Sequence, residues 1–247
     1  MASSIRATMD WKHIDYVPAS ADFADSDPSS VSIALAPCGQ QGVLPYTPLQ
    51  STFMRYLDEV RRRGQPPAHY VYSPYEFRNV LTFVHLDDPL LAEELLNRLR
   101  ADRRPVGWQV FAEVVRSPIR SVFYLGDMPH TWVGAEYVRA VIGMLIHDGD
   151  ERLDLLPGVP PDWVAGKGLR IDRLPTAFGE LSMSARQDES TLRILLAPTL
   201  NASTELGVSW PSRERPKSVT VDGKGRGDFG DEGMRLQKPF RELVAQW

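Results

Sequence analysis

The sequence predicts an α+β fold in two parts, with α-helical hairpins over residues 1–150 and an antiparallel β-sandwich over residues 151–247. Before residue 150, apolar residues recur with the spacing of amphipathic helices. After it, short segments alternate apolar and polar residues and are separated by Gly and Pro. The chain has 247 residues, 43% of them hydrophobic, which is enough for two domains with cores of their own.

The first part contains three amphipathic helices, recognised by apolar residues three, four and seven positions apart. Ser73 caps the second of them, Pro74 occupies its first turn, and Glu76 completes a capping box. Asp88 and Pro89 start the third helix a few residues later, so the two helices are expected to form an antiparallel hairpin. The three apolar faces consist of Phe53, Tyr56, Leu57 and Val60, of Phe77, Val80, Leu81 and Val84, and of Leu91, Leu95 and Leu99.

A fourth helix is predicted from about Trp132 to Ile146, and it is apolar nearly all round. Such a helix is expected to be buried on most sides. The alternation of amphipathic and buried helices favours a two-layered helical ring over a simple bundle. The apolar residues are Ala135, Val138, Val141, Ile142, Met144 and Leu145.

The second part changes to a period of two, which indicates half-buried strands. Asp222 and Gly223 form a strong signal for a tight turn between two strands. Strands about ten residues apart favour an antiparallel sandwich. The inward residues are predicted to be Leu169 and Ile171, Leu181, Met183 and Ala185, Leu192, Ile194 and Leu196, Val208 and Trp210, and Val219 and Val221.

Composition excludes several classes of function. The net charge of -4 argues against a nucleic-acid partner. The sequence contains no apolar run of about 18 residues, so no transmembrane helix is predicted. Met1–Ser4 lacks the apolar run of a signal peptide, so a cytoplasmic location is expected if Met1 is the natural start. The one cysteine, Cys38, is predicted to be a small buried residue. The five histidines lack metal-ligand spacing and no phosphate-binding glycine loop is present, so no metal and no cofactor are predicted.

The segment from Pro105 to Trp132 concentrates polar and aromatic residues between two helices. Long ordered loops inside compact domains are often functional. Trp faces stack on sugar rings, and carboxylates and imidazoles bind hydroxyls, so the segment predicts a saccharide pocket, although other polar ligands are compatible with it. The candidate residues are Trp108, Gln109, Glu113, Arg116, Asp127, His130 and Trp132.

One motif consists of Gly107-Trp108, then Glu113, and then residues 128–134 (MPHTWVG), which open a buried helix. This motif resembles the end of six-hairpin (α/α)6 glycosidases of the bacterial α-L-rhamnosidase type. Segments 21–28 and 126–134 also look like a family of large bacterial glycosidase-like proteins. The resemblance covers nearly the whole chain. It implies the C-terminal part of a helical toroid followed by a β-domain, so that the chain is expected to be a fragment.

The same resemblance implies a glycoside hydrolase-like module that acts on an oligosaccharide, polysaccharide or glycoside. Glu113 stands where inverting members place the general base, and the general acid comes from an earlier hairpin. The fragment is therefore expected to be inactive alone. The implied substrate-binding residues are Trp108, Gln109, Arg116, Asp127, His130 and Trp132, together with Asp25 and Asp27 in a polar loop.

Each candidate residue also has a structural interpretation. Glu113 could pair with Arg116 on a short helix. His130 could cap the following helix, Trp108 and Trp132 could belong to the core, and Tyr70, Tyr72 and Tyr75 could either line the ring opening or pack at a helix end. Asp25 and Asp27 before Pro28 are typical of an Asx-turn, which is the favoured interpretation for them.

Two other functions are compatible with the sequence. The chain could be a non-catalytic carbohydrate-binding module that uses Trp108, Trp132 and His130. It could also be an interaction or scaffold module, because an incomplete ring would expose apolar inner-helix faces and self-associate through them.

Overall fold

A computed structural model describes residues 2–39, 42–63, 65, 70–117, 126–149 and 151–247. The chain divides into two compact units, Met1–Ile142 and Gly143–Trp247. The described part of the first unit is mainly helical, and that of the second unit is mainly β, so the predicted two-part α+β fold is confirmed.

The first unit contains helices that cover most of its described residues, together with a small hairpin. A 3₁₀ turn, Pro74–Phe77, leads directly into one of the helices. Two short strands, β1 (Val71–Tyr72) and β2 (Val115–Arg116), pair antiparallel. The helices are α1 (Ala2–Lys12), α2 (Pro28–Leu35), α3 (Tyr46–Arg62), α4 (Arg78–His85), α5 (Pro89–Ala101) and α6 (Thr131–Leu145), the last of which continues into the second unit.

The predicted apolar faces of α3, α4 and α5 form the core of the first unit. Phe53, Phe77 and Leu95 are completely buried, and the three helices pack against one another. As predicted, the Asp88 carboxylate caps α5 by accepting a 3.1 Å hydrogen bond from the Leu91 N–H. Since residues 86–88 are too few for a crossover, α4 and α5 form the expected antiparallel hairpin.

The predicted capping box at Ser73 is wrong. The Ser73 hydroxyl accepts a 3.4 Å hydrogen bond from the Tyr75 N–H and caps the 3₁₀ turn. The Glu76 carboxylate, however, binds both terminal nitrogens of Arg63 at 2.7 and 2.9 Å and accepts a 2.6 Å hydrogen bond from the Tyr56 hydroxyl. Burial raises the pKa of Glu76, and the Arg63 guanidinium opposes that change. Glu76 therefore belongs to a buried polar cluster because α3 ends beside it.

The expectation that the last helix is buried on most sides is also wrong. Along α6, one stripe is buried, formed by Val133, Glu136, Ala140 and Met144. On the other side, Trp132, Ala135 and Val138 are exposed. Only the first stripe is fully buried, so apolar composition overstates how much of this helix is covered.

Cys38 is exposed instead of buried. It follows α2 in a turn, where its N–H donates a 3.1 Å hydrogen bond to the Ile33 carbonyl. The turn directs the chain along the surface, so the small size of the side chain does not decide its burial.

The second unit is built from two sheets and a short helix, α7 (Pro161–Val164). The six-stranded sheet has the order β10-β9-β12-β7-β6-β5, and the four-stranded sheet has the order β11-β8-β4-β3. All neighbours pair antiparallel except β4 and β8, which are parallel, so the purely antiparallel prediction needs this correction. The strands are β3 (Ile146–Asp148), β4 (Arg152–Leu155), β5 (Leu169–Thr176), β6 (Gly179–Asp188), β7 (Thr191–Leu196), β8 (Glu205–Ser209), β9 (Ser218–Val221), β10 (Lys224–Arg226), β11 (Gly233–Leu236) and β12 (Glu242–Gln246).

The predicted alternation is confirmed in the central strands. Every second residue is buried in the middle of β6 and along β7, namely Leu181, Met183 and Ala185 in β6 and Leu192, Ile194 and Leu196 in β7. Asp222 and Gly223 form the two-residue turn between β9 and β10, with φ values of 49° and 74°. Positive φ at both positions is the requirement that makes Asp-Gly a hairpin signal.

Candidate functional site

Two segments of the polar loop lie side by side in the first unit. The Glu113 N–H donates a 2.9 Å hydrogen bond to the Asp127 carbonyl, and the His130 N–H donates one of 2.9 Å to the Phe111 carbonyl. The Gly126 N–H donates to the Val114 carbonyl at 2.8 Å. These backbone bonds hold Glu113 and His130 in one region, although the residues between the segments, 118–125, lie outside the described residues.

Gly126 permits the close approach of the two segments. A Cβ atom at this position would lie 2.9 Å from the Val114 nitrogen and 3.1 Å from the Glu113 Cβ. Both distances are shorter than ordinary carbon contacts, so a larger residue would push the segments apart. The glycine therefore helps to position Glu113.

Glu113 is half-buried and is held by its backbone. Its carbonyl accepts a 2.6 Å hydrogen bond from the Ser73 hydroxyl, which ties it to the start of the 3₁₀ turn. Among the described residues its carboxylate forms no ion pair, and the alternative pair with Arg116 is absent. Arg116 lies in a strand instead of on a short helix. The carboxylate is therefore available to a ligand or to water.

Tyr75, His130 and Trp132 form an aromatic cluster at the start of α6. The Tyr75 ring meets the His130 ring edge to face at 5.4 Å between centroids, and the Trp132 ring in the same way at 5.1 Å. The Tyr75 hydroxyl lies 3.3 Å from His130 Nε2. Such contacts restrict the three rings, so the cluster presents fixed faces and polar edges.

His130 caps the following helix, which is one of the two roles that the sequence left open. Its Nδ1 accepts a 3.4 Å hydrogen bond from the Val133 N–H, which caps the first turn of α6. With Nδ1 as acceptor, a neutral imidazole carries its proton on Nε2. The Tyr75 hydroxyl lies 3.3 Å from Nε2 and 3.5 Å from Nδ1. Capping therefore orients the ring within the aromatic cluster instead of excluding it from the site.

A buried ion pair lies on the other side of Tyr75. The Arg78 guanidinium carbon is 5.5 Å from the Tyr75 ring centroid, and Arg78 Nη2 is 2.8 Å from the Glu136 carboxylate. Burial raises the pKa of Tyr75, and the negative charge of Glu113 raises it further. The positive charge of Arg78 lowers this pKa, and the charge of Glu136 raises it by the smallest amount of the four. Tyr75 therefore lies within electrostatic reach of Glu113 and keeps its proton as a hydrogen-bond donor.

The two tryptophans are surface residues. Trp108 is 57% exposed and Trp132 is 60% exposed, so the alternative that placed them in the core is wrong. Gln109 is exposed and accepts a 3.2 Å hydrogen bond from Arg103 Nη1. The Asp127 side chain is also exposed, and its carbonyl holds Glu113 as described above.

Asp25 and Asp27 are not joined to the Glu113 segment by any contact between described residues. Asp27 caps α2, since its carboxylate accepts a 3.2 Å hydrogen bond from the Ser30 N–H. Asp25 is exposed, and its carbonyl accepts from the Ala19 N–H at 2.9 Å. Asp27 therefore has a structural role, as the cap of α2, although its bond reaches three residues along the chain instead of the two of an Asx-turn.

The described residues contain no group of three or more His, Cys, Asp or Glu side chains that could hold a metal ion. None of their helices is long and apolar enough to span a membrane.

Three site residues were underestimated or missed from sequence. Tyr75 has two open interpretations in the sequence, and the sequence motifs do not point to Arg78 or Glu136. A charged residue at position 136, in the middle of a nearly apolar helix, was the available signal for a buried ion pair.

No protein-family model and no curated protein matches the sequence. Among solved structures, an α-L-rhamnosidase from Dictyoglumus thermophilum is similar at 12% identity and a TM-score of 0.49, over 90% of this chain and 25% of that one. A GH127 β-L-arabinofuranosidase from Geobacillus stearothermophilus T6 is similar at 12% identity and a TM-score of 0.33, over 70% of this chain and 30% of that one. Both neighbours are glycoside hydrolases, and the chain spans about a quarter to a third of their lengths.

Proposed function

We propose that the chain is a glycoside hydrolase-like module in which Glu113 is the general base of an inverting reaction. The proposal extends the resemblance of the Glu113 and His130 motifs to six-hairpin glycosidases. In it, the helices of the first unit are the last hairpins of a toroid, and an earlier hairpin outside this chain supplies the general acid.

One observation carries the proposal: the carboxylate of Glu113 has no ion-pair partner among the described residues and lies within electrostatic reach of Tyr75 in the aromatic cluster. A general base must be free to accept a proton, and a paired carboxylate would be less basic. Tyr75 and His130 offer hydrogen bonds to sugar hydroxyls, and the exposed face of Trp132 suits the apolar face of a sugar ring.

In the proposed step, Glu113 removes a proton from a water molecule, and the water oxygen attacks the anomeric carbon. The bond from that carbon to the leaving oxygen breaks, and the general acid protonates that oxygen. Inverting enzymes separate the two carboxyl groups by about 6.5–9.5 Å, which leaves room for the water. Asp127, Gln109, Arg116 and Trp108 are proposed to contact the substrate farther from the reacting carbon.

Glycosyl fluorides test this role even without the acid, because fluoride departs without being protonated. The chain should hydrolyse one member of a panel of hexosyl, pentosyl and 6-deoxyhexosyl fluorides with inversion, observed by NMR. The Glu113→Gln variant should lose about 10²–10⁴-fold in kcat/KM, which is the usual contribution of a general base. In the Glu113→Ala variant, azide should restore turnover and form a glycosyl azide of inverted configuration.

Glu189→Gln provides a matched control, since Glu189 is an exposed acid in the β6–β7 turn of the second unit. It should leave the rate unchanged. Full activity of the Glu113→Gln variant, or a product of retained configuration, would refute the proposed role.

The second candidate is a carbohydrate-binding module without catalysis, and the exposure of Trp108 and Trp132 favours it. It predicts that sugars change the tryptophan fluorescence of the chain while no fluoride is hydrolysed, with or without the upstream sequence. In that case Trp132→Ala would weaken binding, and Glu113→Gln would leave hydrolysis at the same undetectable level.

A further inference from the structure

A pocket lies in the first unit, lined by residues other than those of the candidate functional site. It has a volume of about 300 Å³ and lies where α3 and α5 end beside β1. Val60 and Leu99 supply apolar surface, while Tyr70, Tyr72 and Asp102 supply aromatic rings and polar groups. None of the residues assigned above to the Glu113 site lines this pocket.

The Asp102 carboxylate is fixed by two neighbours. The Tyr70 hydroxyl lies 3.2 Å from each of its oxygens, and Arg104 Nη2 lies 2.7 Å from Oδ1. Because a carboxylate has about four acceptor positions, acceptor capacity remains for a ligand. Asp102 therefore offers a preorganised acceptor at the pocket wall.

The Tyr72 hydroxyl is the unexplained group of the pocket. Tyr72 is only 5% exposed, and its hydroxyl makes no normal hydrogen bond with the described residues. Burial raises the pKa of Tyr72, and the Asp102 carboxylate raises it further through its charge and through a hydrogen bond outside the normal geometric limits, so the hydroxyl remains a protonated donor. A buried donor without a hydrogen bond of normal geometry is unfavourable, and a hydrogen-bonding ligand would remove that penalty.

The cations around the pocket are already paired. Arg63 binds Glu76 and stacks over the Tyr72 ring at 4.6 Å. Arg98 binds Glu94 at 2.8 Å, and Arg104 binds Asp102. Since each described guanidinium of the lining has a carboxylate partner, the described residues provide no uncompensated positive charge that would select a phosphate or a carboxylate ligand.

We propose that this pocket binds one ring of a neutral saccharide. The Tyr72 hydroxyl donates to a sugar oxygen, a sugar hydroxyl donates to Asp102, and the C–H face of the sugar packs on Val60, Leu99 and a tyrosine ring. The volume is at the lower end of the range of ligand pockets, about 300–1,000 Å³, which suits a single small ring. The proposal does not depend on catalysis by Glu113.

Binding of D-glucose, L-rhamnose and L-arabinose to the full chain, measured by saturation-transfer NMR and calorimetry, tests the pocket. One of these sugars should bind, and Tyr72→Phe should weaken its binding at least about tenfold, equivalent to 1.4 kcal/mol. Without sugar, Tyr72→Phe should unfold at the same or a higher temperature, because the hydroxyl that it removes makes no hydrogen bond of normal geometry. Asp102→Asn should also weaken binding.

Tyr46→Phe, which removes the hydroxyl of an exposed tyrosine, is the matched control and should bind normally. If Tyr72→Phe binds normally, or none of the sugars binds, the pocket proposal is wrong. Loss of binding in Tyr75→Phe alone would place the sugar at the aromatic cluster, which overturns this proposal and supports the proposed function. Displacement of the sugar by inorganic phosphate would identify an anion site and would also overturn it.

Discussion

Breaking the Arg78–Glu136 ion pair from one side should destabilise the first unit by about 3–5 kcal/mol, the range for buried pairs that lose one partner. The two side chains are only 13% and 10% exposed, and their closest atoms are 2.8 Å apart. In Glu136→Gln, the Arg78 charge stays buried without its counter-charge. The large value is expected because water cannot replace the lost carboxylate.

Replacing both partners should have a much smaller effect. Arg78 Nε and Glu136 Oε2 are buried and lack hydrogen-bond partners among the described residues, so the intact pair already carries a desolvation cost. Arg78→Met combined with Glu136→Leu removes both charges and both unpaired atoms. The double variant is therefore expected to be as stable as the wild type, or more stable by about 1–4 kcal/mol.

Urea unfolding followed by far-UV circular dichroism measures these changes, because most described helical residues belong to the first unit. The two units need not unfold together, so the urea experiment should be accompanied by amide hydrogen exchange of peptides from α4 and α6, which reports the stability of the first unit by itself. Asp15→Asn is the control, since the Arg55–Asp15 pair is exposed and should contribute only about 0–1 kcal/mol. A loss below about 1 kcal/mol in Glu136→Gln would refute the reasoning, because that is the value of a solvated pair.

Two further predictions concern acid stability and close packing. A hydrogen bond from Arg61 lowers the pKa of Glu94 from 4.5 to about 2. The ionised Glu94 carboxylate should therefore stabilise the fold by about 1 kcal/mol, a value for a partly exposed group. This contribution should be complete above pH 4.5 and disappear as the pH falls toward 2, and unfolding curves of Glu94→Gln should lack this part of the pH dependence. Gly126→Ala should lower the stability by about 1–3 kcal/mol in thermal unfolding, because the new Cβ would lie 2.9 Å from the Val114 nitrogen. Gly134 lies in a helix with open space around it, so Gly134→Ala should be neutral or stabilising. Equal effects of the two changes would contradict the packing argument.

Several features could be predicted from local sequence because their physical cause is local. The faces of α3 and α5, the Asp88 cap and the Asp222-Gly223 turn depend on residues a few positions apart. Helical periodicity, side-chain capping and positive φ act within one turn of the chain. The polar segment around Glu113 was also recognisable, because its composition differs from that of a structural loop.

What depends on distant residues could not be predicted in the same way. Tyr75 and His130 are 55 positions apart, and Arg78 and Glu136 are 58 positions apart. Their contacts form only when helices pack, so no periodicity or motif reports them. Glu76 shows the consequence, since a motif that normally caps a helix instead pairs with Arg63 after α3 and the 3₁₀ turn come together.

The sequence by itself determined the two-part α+β order, most of the inward faces and the segment in which a site could lie. The tertiary structure alone decided that the Glu113 carboxylate is unpaired among the described residues, that only one stripe of α6 is buried and that Tyr72 is buried beside a pocket. The physical reason is that intrinsic conformational preferences and hydrophobic periodicity act locally, whereas burial and charge pairing depend on which surfaces meet after folding.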